Sequence, residues 1–157
     1  KNNPKLLRLL LEAGLDANAA NNRGESPIHC LDTKTGEECL GILAEHGANL
    51  NKRDLQGDGM MHQLATEADS RLLKKMIALG ASPTLEDSKG NSPLHLAASA
   101  GCVGNAKLLL AAGAKLEQRN HQGDTAYDCA RQYYKPADHL KPASLWQKIF
   151  RRNQPSP

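Results

Sequence analysis

Nothing in the 157 residues approaches a run of 18 consecutive apolar side chains, so the sequence gives no candidate for a membrane-spanning helix. The first residues also lack the charged-then-apolar order of a secretory leader. The chain opens at Lys1 rather than Met, and it is expected to be a piece of something longer. The four cysteines, Cys30, Cys39, Cys102 and Cys129, form no Cys-x-x-Cys or other close pair, which removes the usual metal and redox motifs. A domain this size needs no covalent staple, so free thiols in a reducing, cytoplasmic setting are expected. Gly-x-Ser-x-Gly, His-Glu-x-x-His, P-loop and Gly-x-Gly-x-x-Gly patterns are all missing, and neither an enzyme nor a cofactor is expected. Charge of one sign is missing too. Residues 1–134 carry 15 basic against 16 acidic side chains, and the excess sits in residues 135–157, with five basic against one acidic. A nucleic-acid groove would concentrate Lys and Arg on one face of the body, so none is expected.

What the sequence does contain is a period. Gly14, Gly47, Gly80 and Gly113 stand 33 residues apart, and Gly24, Gly57, Gly90 and Gly123 repeat the spacing in a fixed phase. A third series lies between them: Ser26-Pro27-Ile28-His29, Gly59-Met60-Met61-His62, Ser92-Pro93-Leu94-His95 and Thr125-Ala126-Tyr127-Asp128. Ser26, Ser92 and Thr125 are placed to cap a first helix, and Pro27 or Pro93 follows at the first helical position, where its missing N–H does no harm. Leu94, Ala97 and Ala98 give that helix a narrow apolar face. A second helix carries heavier residues at helical spacing: Leu6, Leu7, Leu10 and Leu11; Cys39, Leu40 and Leu43; Leu72, Leu73, Met76 and Ile77; Ala106, Leu109 and Leu110. Glycine then ends each second helix, and a polar extended loop returns to the next unit. Such a unit buries its apolar faces only by stacking on its neighbours.

Ser92 to Ala98, with Gly101 and the run Leu108 to Ala114, resembles the ankyrin repeat, a 33-residue unit with a Thr-Pro-Leu-His-x-Ala signature. The resemblance covers residues 4 to about 134. It implies an all-α solenoid of stacked helix-turn-helix units joined by hairpin-like loops. The expected organisation is a half repeat at 1–20, repeats at 21–53, 54–86 and 87–119, and a terminal repeat at 120–134 in which Asp128 stands where His would. A capping segment at 135–152 follows, with Ser144-Leu145-Trp146-Gln147 opening a short amphipathic helix through about Arg152, and a disordered tail at 153–157.

His29, His62 and His95 invite a metal reading, but equivalent atoms in stacked units lie roughly 10 Å apart, whereas zinc takes its ligands at about 2 Å. No metal is expected, and the resemblance implies hydrogen-bonded structural histidines. Cys30 beside His29 is no nucleophile-base pair, since neighbours on a helix diverge by about 100°. Trp146, with Leu145, Ile149 and Phe150, is expected to cap the array rather than to hold a membrane. The loop tips are more informative. Positions that the frame does not dictate hold Asn22, Arg23 and Glu25; Arg53, Leu55, Gln56 and Asp58; Glu86, Ser88, Lys89 and Asn91; Arg119, His121, Gln122 and Asp124. In the family this row, with the outer face of the first helices (here Thr33, Lys34, Thr66, Glu67, Ser99 and Ala100), forms a concave binding surface.

The resemblance therefore implies a protein-protein interaction module, monomeric in isolation, with a protein partner. The alternative is a substrate-recruiting C-terminal part of a larger enzyme. Ankyrin arrays close several secreted bacterial effectors, among them cysteine proteases and arginine ADP-riboxanases that seize host proteins such as caspases, which would place the chain in host cytoplasm. The repeat at 54–86 is expected to be the weak link, because Gly59-Met60 replaces Ser-Pro.

Overall fold

The computed structural model describes residues 3–33 and 35–133, with Tyr133 described by its backbone alone. Lys34, Tyr134, the expected capping segment at 135–152 and the tail at 153–157 lie outside the described residues. The order is α1 (Pro4–Glu12), a 3₁₀ turn (Pro27–Cys30), α2 (Glu37–Glu45), α3 (Met60–Ala65), α4 (Arg71–Ala78), α5 (Pro93–Ser99), α6 (Val103–Ala111) and α7 (Ala126–Tyr133). Among the described residues the only β pairings are two isolated antiparallel bridges, Arg53 to Gly59 and Arg119 to Thr125, one at each of two loop necks. The all-α solenoid expected from the period is the fold found.

The local starts follow from their residues. Asn3 caps α1 by accepting the Leu6 N–H at 3.0 Å, with Pro4 at the first helical position. At α5 the histidine completes the cap, because His95 Nδ1 accepts the Ser92 N–H at 3.1 Å and lies 2.8 Å from the Ser92 hydroxyl. Gly59 has no hydroxyl, yet its N–H still donates to His62 Nδ1 at 3.1 Å, and α3 forms. The backbone cap at 54–86 is therefore intact despite the missing Ser-Pro. The glycines at the ends of α1, α2, α4 and α6 all have positive φ, between 76° and 97°.

Two expectations need correction. The first helix of the unit at 21–53 is only a single 3₁₀ turn, after which Leu31 is extended at ψ 132°. Asp32 stands 33 residues before Ala65 and 66 before Ala98, both of which are fully buried. A carboxylate cannot take that place unpaired. The chain leaves the helix, and exposed Asp32 accepts the Thr35 N–H at 3.1 Å instead. Thr33 thus lies beyond the turn and not on a helix face.

The second correction concerns α1. Leu11 is buried and Leu7 half-buried, but Leu6 is 49% and Leu10 39% exposed. Their counterparts Cys39, Leu72 and Asn105, and Leu43, Met76 and Leu109, are buried. Among the described residues no helix covers that face of α1, whereas α4 packs on α2 and α3, and α6 packs on α5. The continuous core runs through Leu40, Leu43, Leu64, Leu72, Leu73, Met76, Leu94, Ala97, Ala98 and Leu109, each fully buried. Within the core sits one polar side chain that the hydrophobic pattern does not announce. Asn105 on α6 donates to the carbonyls of Leu64 (3.1 Å), Ala65 (3.1 Å) and Glu67 (2.7 Å), and so closes the C-terminal end of α3 in the preceding unit.

Candidate functional site

Each loop tip is built by one side chain at its base. Asn21 Oδ1 accepts the N–H groups of Arg23 (2.9 Å) and Glu25 (3.1 Å), and Asp54 accepts those of Gln56 and Asp58, both at 2.9 Å. Asp87 accepts from Lys89 and Asn91 at 2.8 Å, and Asn120 from Gln122 (3.0 Å) and Asp124 (2.9 Å). These four bases are 33 residues apart, a signal present in the sequence that attention to the variable positions passes over. They fix the turns through backbone N–H groups, and of the variable side chains Arg119 adds a bond from Nη1 to the Gly123 carbonyl at 2.6 Å.

Neighbouring tips are also tied to one another. The Leu55 N–H donates to the Arg23 carbonyl and the His121 N–H to the Lys89 carbonyl, both at 3.0 Å. Arg53 Nη1 reaches the Glu86 carbonyl of the next tip at 2.9 Å. Below the row, His62 Nε2 donates to the carbonyls of Leu85 (3.0 Å) and Asn91 (3.1 Å), and His95 Nε2 to that of Asp124 at 3.1 Å. His62 and His95 are thus structural ties in separate units. His29 differs, because its buried Nε2 has no hydrogen-bond partner among the described residues.

The structure gathers the named positions on one edge at two depths. Arg23, Arg53, Leu55, Gln56, Glu86, Ser88, Lys89, Arg119, His121 and Gln122 are exposed, while Glu25, Asp58, Asn91 and Asp124 are half-buried. Three of the deeper set, Glu25, Asn91 and Asp124, are engaged internally. Glu25 accepts from Asn21 at 2.7 Å and pairs with Arg23 at 2.8 Å, Asn91 donates to Asp87 at 3.1 Å, and Asp124 accepts from Gln132 at 3.0 Å. Of the first-helix face, Thr66, Glu67 and Ala100 are exposed and Ser99 is half-buried.

Electrostatics follow the same layering. Burial, and then the neighbouring Asp54 charge, push the Asp58 carboxyl above the usual range. At Asp87 burial opposes the charge, but the hydrogen bonds from Asn91 and Lys89 outweigh it and hold the carboxyl below that range. Burial also raises the thiols of Cys39, Cys102 and Cys129, which keeps them protonated and poorly nucleophilic. Cys30 is exposed, and the His29 Nδ1 beside it is engaged by Ser26 at 3.1 Å. No group of three or more metal-ligating side chains occurs among the described residues, and no helix among them is long and apolar enough to cross a membrane.

Residues 76–130, from the middle of α4 to α7, match a family model of ankyrin repeats occurring in many copies. A search of curated proteins found no match. The stacked units, the tied loop tips and the histidine caps agree with that match: residues 76–130 are ankyrin repeats, set within an all-α solenoid of the ankyrin type.

Proposed function

We propose that this chain is a protein-binding module that receives a partner protein on its loop-tip row and the adjoining face of its first helices. Ankyrin repeats serve generally as protein-protein interaction modules. The observation that carries the reading here is the division of labour at the tips. Asn21, Asp54, Asp87 and Asn120 hold the turns through backbone N–H groups and present the side chains between them, Leu55, Ser88, Lys89 and His121 among them, on one exposed edge. A preordered edge loses little conformational freedom when a partner binds. The free thiols Cys30, Cys39, Cys102 and Cys129 suit a reducing, cytoplasmic setting. No described residue favours the alternative of a substrate-recruiting part of a larger enzyme.

Hydrogen exchange of the chain with and without a captured partner protein tests the site. Protection should concentrate in the tips at 22–25, 55–58, 88–91 and 121–124. Protection confined to the outer faces of α2, α4 and α6 would place the partner on the convex side and overturn the reading.

A further inference from the structure

Depth sorts the tip residues by charge. In the outermost registers the charged side chains are Arg23, Arg53, Lys89 and Arg119, against Glu86 alone. The carboxylates of Glu25, Asp58 and Asp124 lie half-buried beneath them, so the alternating charge of the sequence becomes a basic outer edge over an acidic floor. On that edge sits one large aliphatic side chain, Leu55, 74% exposed. Its counterparts at 33-residue spacing are Asn22, Ser88 and His121, all polar.

Leu55 is firmly placed. Its N–H is held by the Arg23 carbonyl at 3.0 Å, and its backbone rests on Gly24, where an added Cβ would stand 2.8 Å from Leu55 N and 3.1 Å from Leu55 Cγ. An apolar side chain on a backbone held in place, on an edge whose exposed charges are mostly basic, offers an anchor whose backbone ordering is met before binding. Four stacked tips span roughly 30 Å at about 10 Å each, a length that about nine residues of extended chain cover.

We propose that the tips receive an acidic protein segment in extended form, laid across the row, with one apolar side chain seated on Leu55 beside Arg23 and Arg53. This rests on the protein-binding reading above and names the chemistry of the partner.

The test uses a displayed library of random peptides about twelve residues long, enough to cross the row, selected on the whole chain. Recovered peptides are titrated against four forms: the unaltered chain, Leu55→Ser, the Arg23→Glu/Arg53→Glu double variant, and a Lys5→Glu/Arg8→Glu control on α1. The expected peptides carry several Asp or Glu around an apolar residue. They lose about tenfold or more in affinity with Leu55→Ser and with the Arg23/Arg53 reversal, keep it in the control, and weaken with added salt. Neutral or basic peptides that respond to the Arg23/Arg53 reversal but not to Leu55→Ser would overturn the inference while leaving the tip surface standing. Peptides indifferent to every tip change would overturn both. An empty selection, or a short oligothymidylate that binds as tightly as the best peptide, would also overturn the inference, the latter by showing a surface that reads charge alone.

Discussion

His121 packs directly on Gly90: a Cβ built at Gly90 would stand 2.6 Å from His121 Cδ2 and 2.8 Å from its backbone N. Gly90 also has φ +76°, while Gly80, with φ +86°, has nothing within 4 Å of a built Cβ. Both positions impose left-handed strain on any side chain, but only Gly90 adds a collision. Gly80→Ala should therefore lose about 1–2 kcal/mol by urea unfolding, and Gly90→Ala clearly more. Equal losses would mean that the contact between tips yields without cost.

Asn105 should be among the most sensitive polar positions in the core. Asn105→Ala leaves the carbonyls at the end of α3 without their donor, at a cost of about 1–3 kcal/mol. A thermal unfolding midpoint equal to that of the unaltered chain would show that water or a local rearrangement replaces the amide.

Leu109 and Leu6 contrast burial with exposure. Leu109 is fully buried, so Leu109→Ala should destabilise by about 2–5 kcal/mol through the cavity it opens. Leu6 is 49% exposed, and Leu6→Ala should cost well below that range. Similar losses would place Leu6 against a covering element.

Stability should fall as acid is added. Burial holds the His95 imidazole below its ordinary value of 6.5, against the opposing pull of the Asp124 and Gln118 carbonyls and of the Asp87 and Asp124 charges. Its neutral form is the folded form, so its contribution is complete above pH 6.5 and is lost as the pH drops through the lowered folded value. Asp87 and Asp128 act in the same direction below pH 3.8, while Asp58, raised by burial, acts in the opposite one. At Asp128 the hydrogen bond from the Thr125 hydroxyl is the chief cause. Urea midpoints should therefore decline from pH 7 to pH 5, and His95→Gln should flatten that slope. An unchanged slope in the variant would assign the acid sensitivity elsewhere.

The solenoid was legible because its signals repeat. Gly113 and Gly123 restate Gly14 and Gly24 after 99 residues without drift, and Ser92-Pro93-Leu94-His95 names a helix start. What repeats only in part was harder to see. Asn105 occupies a position held by Leu72 and Cys39 in other units, so no pattern marks its role. Asp32 is a signal the sequence carries, a charge where Ala65 and Ala98 stand, while the helix start at Ser26-Pro27 taken alone predicts a full helix. The tip row itself was legible as a set of polar, variable positions. Its separation into an outer basic and an inner acidic layer was not, because Arg23 and Glu25 lie two residues apart and only the turn held by Asn21 gives them different depths.

The central claim is that partners bind the tips rather than the second-helix side. Titration of one captured partner protein against two double variants tests it most directly. Arg53→Glu/Arg119→Glu should weaken binding while the thermal midpoint falls only slightly, because the bonds lost to the Glu86 and Gly123 carbonyls are exposed and exposed charges contribute little to folding. Lys5→Glu/Arg8→Glu, on α1, should leave affinity close to that of the unaltered chain. The opposite ranking, with the α1 pair decisive and the tip pair silent, would contradict the account.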